Sequence, residues 1–210
     1  MHIVNSEIVD SIVEELEIED IRSASIRQIG AVVRAIEART GVEFIHFEMG
    51  VPGLPPSAVG VKAECEALQR GVASVYPIID GIPEIKEQAS RFVKAFLDTD
   101  IKPQGCIPTV GSMQASFASL MIASQLDRKR NTVLYIDPGF PVQKLQAQVI
   151  GVDVASFDIA SCRGKSLEAQ LKSMYEKGNI CAVLYSTPNN PTWMTLTEEE
   201  LEIIGRLSAE

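Results

Sequence analysis

Three short stretches combine residue types able to hold an anionic, planar group. The first is Gly111-Ser112-Met113-Gln114-Ala115, which opens a predicted helix of small and apolar residues. Glycine lets a ligand approach the backbone, the Ser112 hydroxyl can cap the helix, and the free N–H groups of a first turn attract anions. The same residues also start ordinary helices, so a phosphate cradle and a plain helix start both fit. The second stretch, Asp137-Pro138-Gly139-Phe140-Pro141, is a stiff turn that carries one aromatic ring. Phe140 can stack on a flat heteroaromatic cofactor or pack into the core. The third, Thr187-Pro188-Asn189-Asn190-Pro191-Thr192, brackets two amides with two prolines, which fix the backbone and remove competing donors. An Asx turn accounts for one asparagine and accounts less well for the flanking prolines. A fourth segment runs from Tyr76 to Ile85, with Asp80-Gly81 as a turn and Pro83 in the first turn of a helix.

The elements that must position these stretches follow from hydrophobic spacing. Helices are predicted over 6–17 and 22–38, with Gly41 as the stop, from Ile8, Ile12, Val13 and Leu16 and then Ile26, Ile29, Val32, Val33 and Ile36. Glycines and prolines from Gly50 to Pro56 make a loop that joins a leading segment, 1–57, to a main domain, 58–210. Beyond it the pattern alternates: helix 81–97, strand 104–110, helix 113–126, strand 132–136, helix 141–150, strand 152–156, helix 165–176, strand 180–186 and helix 197–208. Strands separated by helices predict an α/β architecture with a mostly parallel sheet covered on both faces. The run Cys181-Ala182-Val183-Leu184-Tyr185 suits a strand buried on both sides. In such a sheet ligands sit at the carboxyl ends of strands, which is where the three stretches fall.

Composition removes several functions. The 210 residues are 46% hydrophobic and 22% charged, an ordinary globular make-up. A net charge of -9 speaks against a nucleic-acid partner bound through its phosphates. No apolar run approaches the ~20 residues that span a bilayer, and the acidic start (Glu7, Asp10, Glu14, Glu15) is unlike a secretory leader, so a cytoplasmic protein without membrane contact is expected. Cys65, Cys106, Cys162 and Cys181 are widely spread and form no metal-type pair, and read as reduced thiols. The histidines are His2 and His46, too few for a Ser-His-Asp hydrolase or a histidine metal site. No metal is expected.

The order of the motifs carries a resemblance. A Gly50-x-Pro52 loop, Tyr76 followed by Gly81-Ile82-Pro83-Glu84, Val110-Gly111-Ser112-x-Gln114-Ala115, Pro138-Gly139-Phe140-Pro141 and Pro188-Asn189-Asn190-Pro191-Thr192 together resemble the class I/II aminotransferases, the fold-type I pyridoxal-phosphate (PLP) enzymes of amino acid metabolism. The resemblance runs from about residue 25 to the end. It implies that Gly111, Ser112 and Met113 hold the cofactor phosphate, that Tyr76 reaches the phosphate of the other subunit in a homodimer, and that Phe140 stacks on the pyridine ring. Asn190 would hydrogen-bond the ring 3-oxygen, and Gly50 would line the site of the substrate carboxylate. The implied reaction moves an amino group between an α-amino acid and a 2-oxo acid. A PLP lyase of the same fold, or a non-catalytic binding or dimerisation module derived from it, shares these motifs.

Two departures from the family pattern stand out. The family usually follows Asn-Pro-Thr with glycine, whereas this chain has Trp193, a bulky residue expected to change the turn. The family's cofactor-bearing Lys, its Asp for the pyridine nitrogen, its Tyr and its carboxylate-binding Arg have no matching motif up to Glu210. The expectation is an incomplete PLP-dependent transferase-like large domain, inactive as these 210 residues alone, with strand 104–110 lacking its neighbour. Asp137–Pro138 and Asn190–Pro191 are candidates for cis peptide bonds, because the family turns at these strand ends point Phe140 and Asn190 into the site.

Overall fold

The computed structural model describes residues 4–47, 50 and 53–210. His2, and Val51 and Pro52 of the expected loop, lie outside the described residues. The chain divides into two compact units, Met1–Tyr76 and Pro77–Glu210, so the join expected at 57/58 falls within the first.

In the first unit, α1 (Ser6–Glu15) begins where the Asn5 side chain accepts a hydrogen bond from the Glu7 amide. Ser25 and Gln28 form a reciprocal capping box at the start of α2 (Ile26–Thr40), and Gly41 ends it in the left-handed conformation at φ 71°. Ile12 and Ile18 meet Val32 and Ile36 between the two helices. Arg39 fastens their polar side by donating to Glu15 at 2.6 Å. A third helix, α3 (Ala58–Gln69), was not expected from the sequence. It buries none of its residues. Its apolar side chains, among them Val59, Val61 and Leu68, are spread around the helix and give no stripe to recognise.

The second unit contains α4 (Pro83–Leu97), α5 (Gly111–Leu126), β1 (Thr132–Asp137), α6 (Val142–Val149), β2 (Asp153–Asp158), α7 (Lys165–Tyr175), β3 (Ile180–Leu184) and α8 (Glu198–Ala209). The three strands are parallel in the order β2-β1-β3. Side chains alternate across β1, as the pleat requires. Val133 and Tyr135 pack with Leu120 of α5 and Ala147 of α6, while Leu134 and Ile136 pack with Leu167 and Leu171 of α7 and Ile203, Ile204 and Leu207 of α8. Helices therefore cover both faces, as expected. The run from 180 is strand only to Leu184, and its residues are half-buried because β3 stands at one edge of the sheet.

One predicted strand does not form. Residues 104–110 fold as a short 3-10 turn, Pro103–Gly105, followed by extended backbone at Cys106. A strand needs a neighbour for its N–H and C=O groups, and none pairs with this segment among the described residues. Pro108 also removes a donor from the middle of the run. Ile107 and Val110 are exposed. The segment is nevertheless anchored. Gly81, at φ 97°, lies so close to Pro108 that an added Cβ would sit 2.4 Å from the ring. Among the described residues no helix is long and apolar enough to cross a membrane, and no group of His, Cys, Asp and Glu could hold a metal ion. The four cysteines are free thiols, with Cys65 exposed and the others half-buried.

The most completely bonded carboxylate in the unit is Glu200, 2% exposed at the start of α8. It accepts from Arg163 Nε at 2.6 Å and Nη2 at 2.7 Å, from the Gly164 amide at 3.0 Å and from the Thr197 amide at 2.9 Å. The Arg163 guanidinium, aided by those amides, holds the Glu200 carboxyl down at about 2. A carboxyl depressed in the folded state stabilises the fold above its ordinary range near 4.5, and that contribution drains away as the pH falls from there towards about 2. Glu200→Gln is expected to lower the unfolding free energy at pH 7, measured by urea titration, by less than the ~3–5 kcal/mol of a fully buried pair because Arg163 is partly in water. The deficit relative to wild type should shrink between pH 4.5 and pH 2. A deficit that stays constant across that range would contradict this linkage.

Candidate active site

The start of α5 and the turns after β1 and β3 are linked by side-chain hydrogen bonds. At α5, Gly111 takes φ 70° and nothing lies within 4 Å of where its Cβ would be. No side chain caps the helix, while Gln114 Oε1 accepts from the Val110 amide at 2.6 Å. The free N–H groups that open a helix are thus presented beside a glycine with open space around it. On α6, Gln146 Nε2 donates to the Met113 carbonyl at 2.9 Å and Gln146 Oε1 accepts from the Ser116 hydroxyl at 2.8 Å. One amide side chain thereby braces α5 against α6.

The turn between β1 and α6 is closed by two more links. Lys144 forms an ion pair with Asp137, the last residue of β1, and its ammonium lies 5.6 Å from the centre of the Tyr135 ring. The Tyr135 hydroxyl donates to the Gln143 carbonyl at 2.9 Å. Burial pushes that hydroxyl up to about 12, so it remains a neutral donor. Phe140, at the apex, is half exposed. Beside it lies a cavity of about 90 Å³ lined by Tyr135, Phe140, Gln143, Lys144, Tyr185 and Ser186. Gln143 Oε1 is buried there with no hydrogen-bond partner among the described residues.

The turn after β3 is organised around Asn189, which is buried, while Asn190 is exposed. Asn189 Nδ2 donates to the Pro138 carbonyl and to the Ser186 hydroxyl, the latter at 3.3 Å. Its Oδ1 accepts from the Thr192 hydroxyl at 2.7 Å and from the Thr192 amide at 3.2 Å. Asp137–Pro138 and Asn190–Pro191 are cis, as expected, and so is Thr187–Pro188. Trp193 takes φ 62°. Its amide donates to the Asn189 carbonyl at 2.8 Å, and the Asn189 amide donates to the Met194 carbonyl at 2.7 Å. The bulky residue thus stands in a turn closed by these two backbone hydrogen bonds. The backbone takes the left-handed conformation that suits glycine, and the indole projects into solvent, 83% exposed.

Residues 42–210 match the family model described as aminotransferase class I and II. The chain belongs to this family. It is 28% identical over 159 residues to the LL-diaminopimelate aminotransferase of Natranaerobius thermophilus, a match covering 74% of this chain and 40% of that protein. It is 26% identical over 193 residues to the aspartate aminotransferase of Thermotoga maritima, covering 91% and 49%. A solved Thermus thermophilus aspartate aminotransferase double mutant shares the fold at a TM-score of 0.75 and 20% identity, over 93% of this chain and 50% of that one. The chain thus spans less than half the length of the two curated relatives.

Class I and II aminotransferases use pyridoxal phosphate, and the residues present fit part of that group. An uncapped helix start beside an open glycine suits a phosphate, and a half-exposed ring suits a planar partner. Gly111, Ser112 and Met113, the Phe140 turn and the Asn190 turn are joined through Gln146, Lys144 and Asn189. Gly50 and Tyr76 belong to the first unit and are exposed there. Sequence reading missed Asn189, Gln146 and Lys144. Of these only Asn189 carried a signal, its place between two prolines.

A non-glycine residue in the left-handed region costs about 1–2 kcal/mol. Trp193→Gly is expected to raise the unfolding free energy by up to ~1 kcal/mol, and the denaturant midpoint with it, after the greater freedom of unfolded glycine is subtracted. An unchanged or lower midpoint would show that the indole makes compensating contacts.

Proposed function

We propose that this chain supplies the phosphate-binding, ring-stacking and ring-oxygen contacts of a PLP-dependent aminotransferase that moves an amino group between an α-amino acid and a 2-oxo acid. The reading rests on one observation above the others: in a member of this family, the α5 start and the turns after β1 and β3 are hydrogen-bonded into one assembly at the carboxyl edge of the sheet. Gly111, Ser112 and Met113 hold the phosphate through the first-turn amides and the Ser112 hydroxyl. Phe140 stacks on the pyridine ring and keeps water from that face. Asn190 donates to the ring 3-oxygen. Gly50 lines the place of the substrate carboxylate, and Tyr76, fully exposed in its own unit, reaches the phosphate held by a second copy in a homodimer. Residues 58–210 form the start of the cofactor-binding domain, 1–57 form a leading helical segment, and the protein is cytoplasmic. When bound, PLP supplies the electron sink for the charge left as the substrate loses its α-proton.

The test is equilibrium dialysis of the chain against PLP. Inorganic phosphate is expected to compete, and Gly111→Ala, which places a methyl group where the phosphate must approach, to abolish binding. Phe140→Ala should weaken it about tenfold, the range of an aromatic stacking contact. PLP binding that phosphate does not displace and Gly111→Ala does not alter would remove the cradle. Amino-group transfer in the protein containing this chain, followed with a panel of α-amino acids and 2-oxo acids, tests the reaction itself.

A further inference from the structure

We propose that Asn189 is a positioning residue for cofactor binding, the joint that sets the Phe140 turn and the Asn190 turn at a fixed distance from each other. The inference rests on the reading of Phe140 and Asn190 as cofactor contacts. Asn189 itself is buried beneath both turns, so it acts through its neighbours.

Its hydrogen bonds divide the work between the two ends of one amide. The nitrogen end reaches out of its own turn to the Pro138 carbonyl, two residues before Phe140, and to Ser186, two residues past the end of β3. The oxygen end stays within its own turn and gathers the amide and hydroxyl of Thr192. The main chain of the same residue closes the loop on both sides, to Trp193 and to Met194. The Asn189 side chain thus spends both donors outward or just past the strand end and its acceptor inward. Pro138 and Pro141 have no N–H of their own, so the Phe140 turn has few other ways of attaching to β3. Aspartate matches the shape of asparagine but offers no donor, and would set a carboxylate against the Pro138 carbonyl. That substitution cuts the outward link and keeps the Thr192 bonds.

The consequence is thermodynamic coupling. If Asn189 holds Phe140 in place for stacking, the benefit of the Phe140 ring depends on Asn189, and the two substitutions will not add. A role confined to general stability would leave their effects on PLP affinity additive.

The experiment is a double-mutant cycle on the full chain, with PLP affinity measured by dialysis for wild type, Phe140→Ala, Asn189→Asp and the double variant. Amide hydrogen exchange at Gly139 and Phe140 is followed in the unliganded chain. Each single change is expected to weaken PLP about tenfold, the double by far less than the hundredfold of independent effects. Exchange at Gly139 and Phe140 should quicken in Asn189→Asp without PLP. Thr192→Val, which removes the hydroxyl that donates to Asn189 Oδ1 and accepts from the Met194 amide at 3.4 Å, serves as the second variant should Asn189→Asp not fold, and should quicken the same amides to a smaller degree. Additive affinities, or exchange in the Phe140 turn that ignores both variants, would overturn the joint. Quickened exchange in a chain that binds no PLP would instead overturn the cofactor reading, and the positioning role with it.

Discussion

β1 has a parallel neighbour on each edge and a helical layer on each face, which leaves it one register. A slip of one residue would carry Val133 and Tyr135 to the side of α7 and α8, and Leu134 and Ile136 to the side of α5 and α6. Both pockets are shaped for the residues they hold, so the slip would misfill two packed layers at once. Asp137, at the end of this strand, is consequently a fixed point. The Phe140 turn is measured from it through Lys144, and the end of β3 is measured from the same strand through the ladder at Tyr135 and Leu184.

On this frame the polar contacts do a different task from the core. Bonds such as Gln146 to Met113 or Tyr135 to Gln143 contribute about 1 kcal/mol each in net terms, little beside the burial of the surrounding apolar side chains. Their importance is directional. Packed apolar layers tolerate small rotations of a helix, whereas a side-chain amide bonded at both ends does not, so the segments at the sheet edge inherit a geometry that the core alone would leave loose. α6 carries three of these links within four residues, from Gln143 to Gln146.

Much of this arrangement was legible in the sequence, and the reasons for the exceptions are physical. The βαβ alternation was readable because strands 132–137 and 153–158 are bounded by turn formers and separated by helical spacing. The turns at Pro138 and Pro188 announced themselves through residues with narrow backbone preferences. Segment 104–110 misled because its apolar residues suggested a strand, yet strand formation depends on a partner that local sequence cannot supply. α3 was hidden because a helix that buries nothing needs no stripe. The exchange of prominence between Asn189 and Asn190 was unreadable for another reason: neighbouring residues of one type differ only in what they meet, and Asn189 meets a carbonyl 51 positions earlier in the chain. Gln146 likewise meets Met113 across 33 positions.

The contact between Gly81 and the Pro108 ring links two loops that lie far apart in sequence and have no strand pairing between them. Since the proline ring occupies the space of a side chain at position 81, the two positions are not free to drift separately. A descendant that replaces Gly81 must first lose Pro108 or move its loop, and one that loses Pro108 releases position 81 only as far as its left-handed backbone allows. The order of those two events is therefore constrained in any lineage that keeps this fold: position 108 must change or shift before position 81 can.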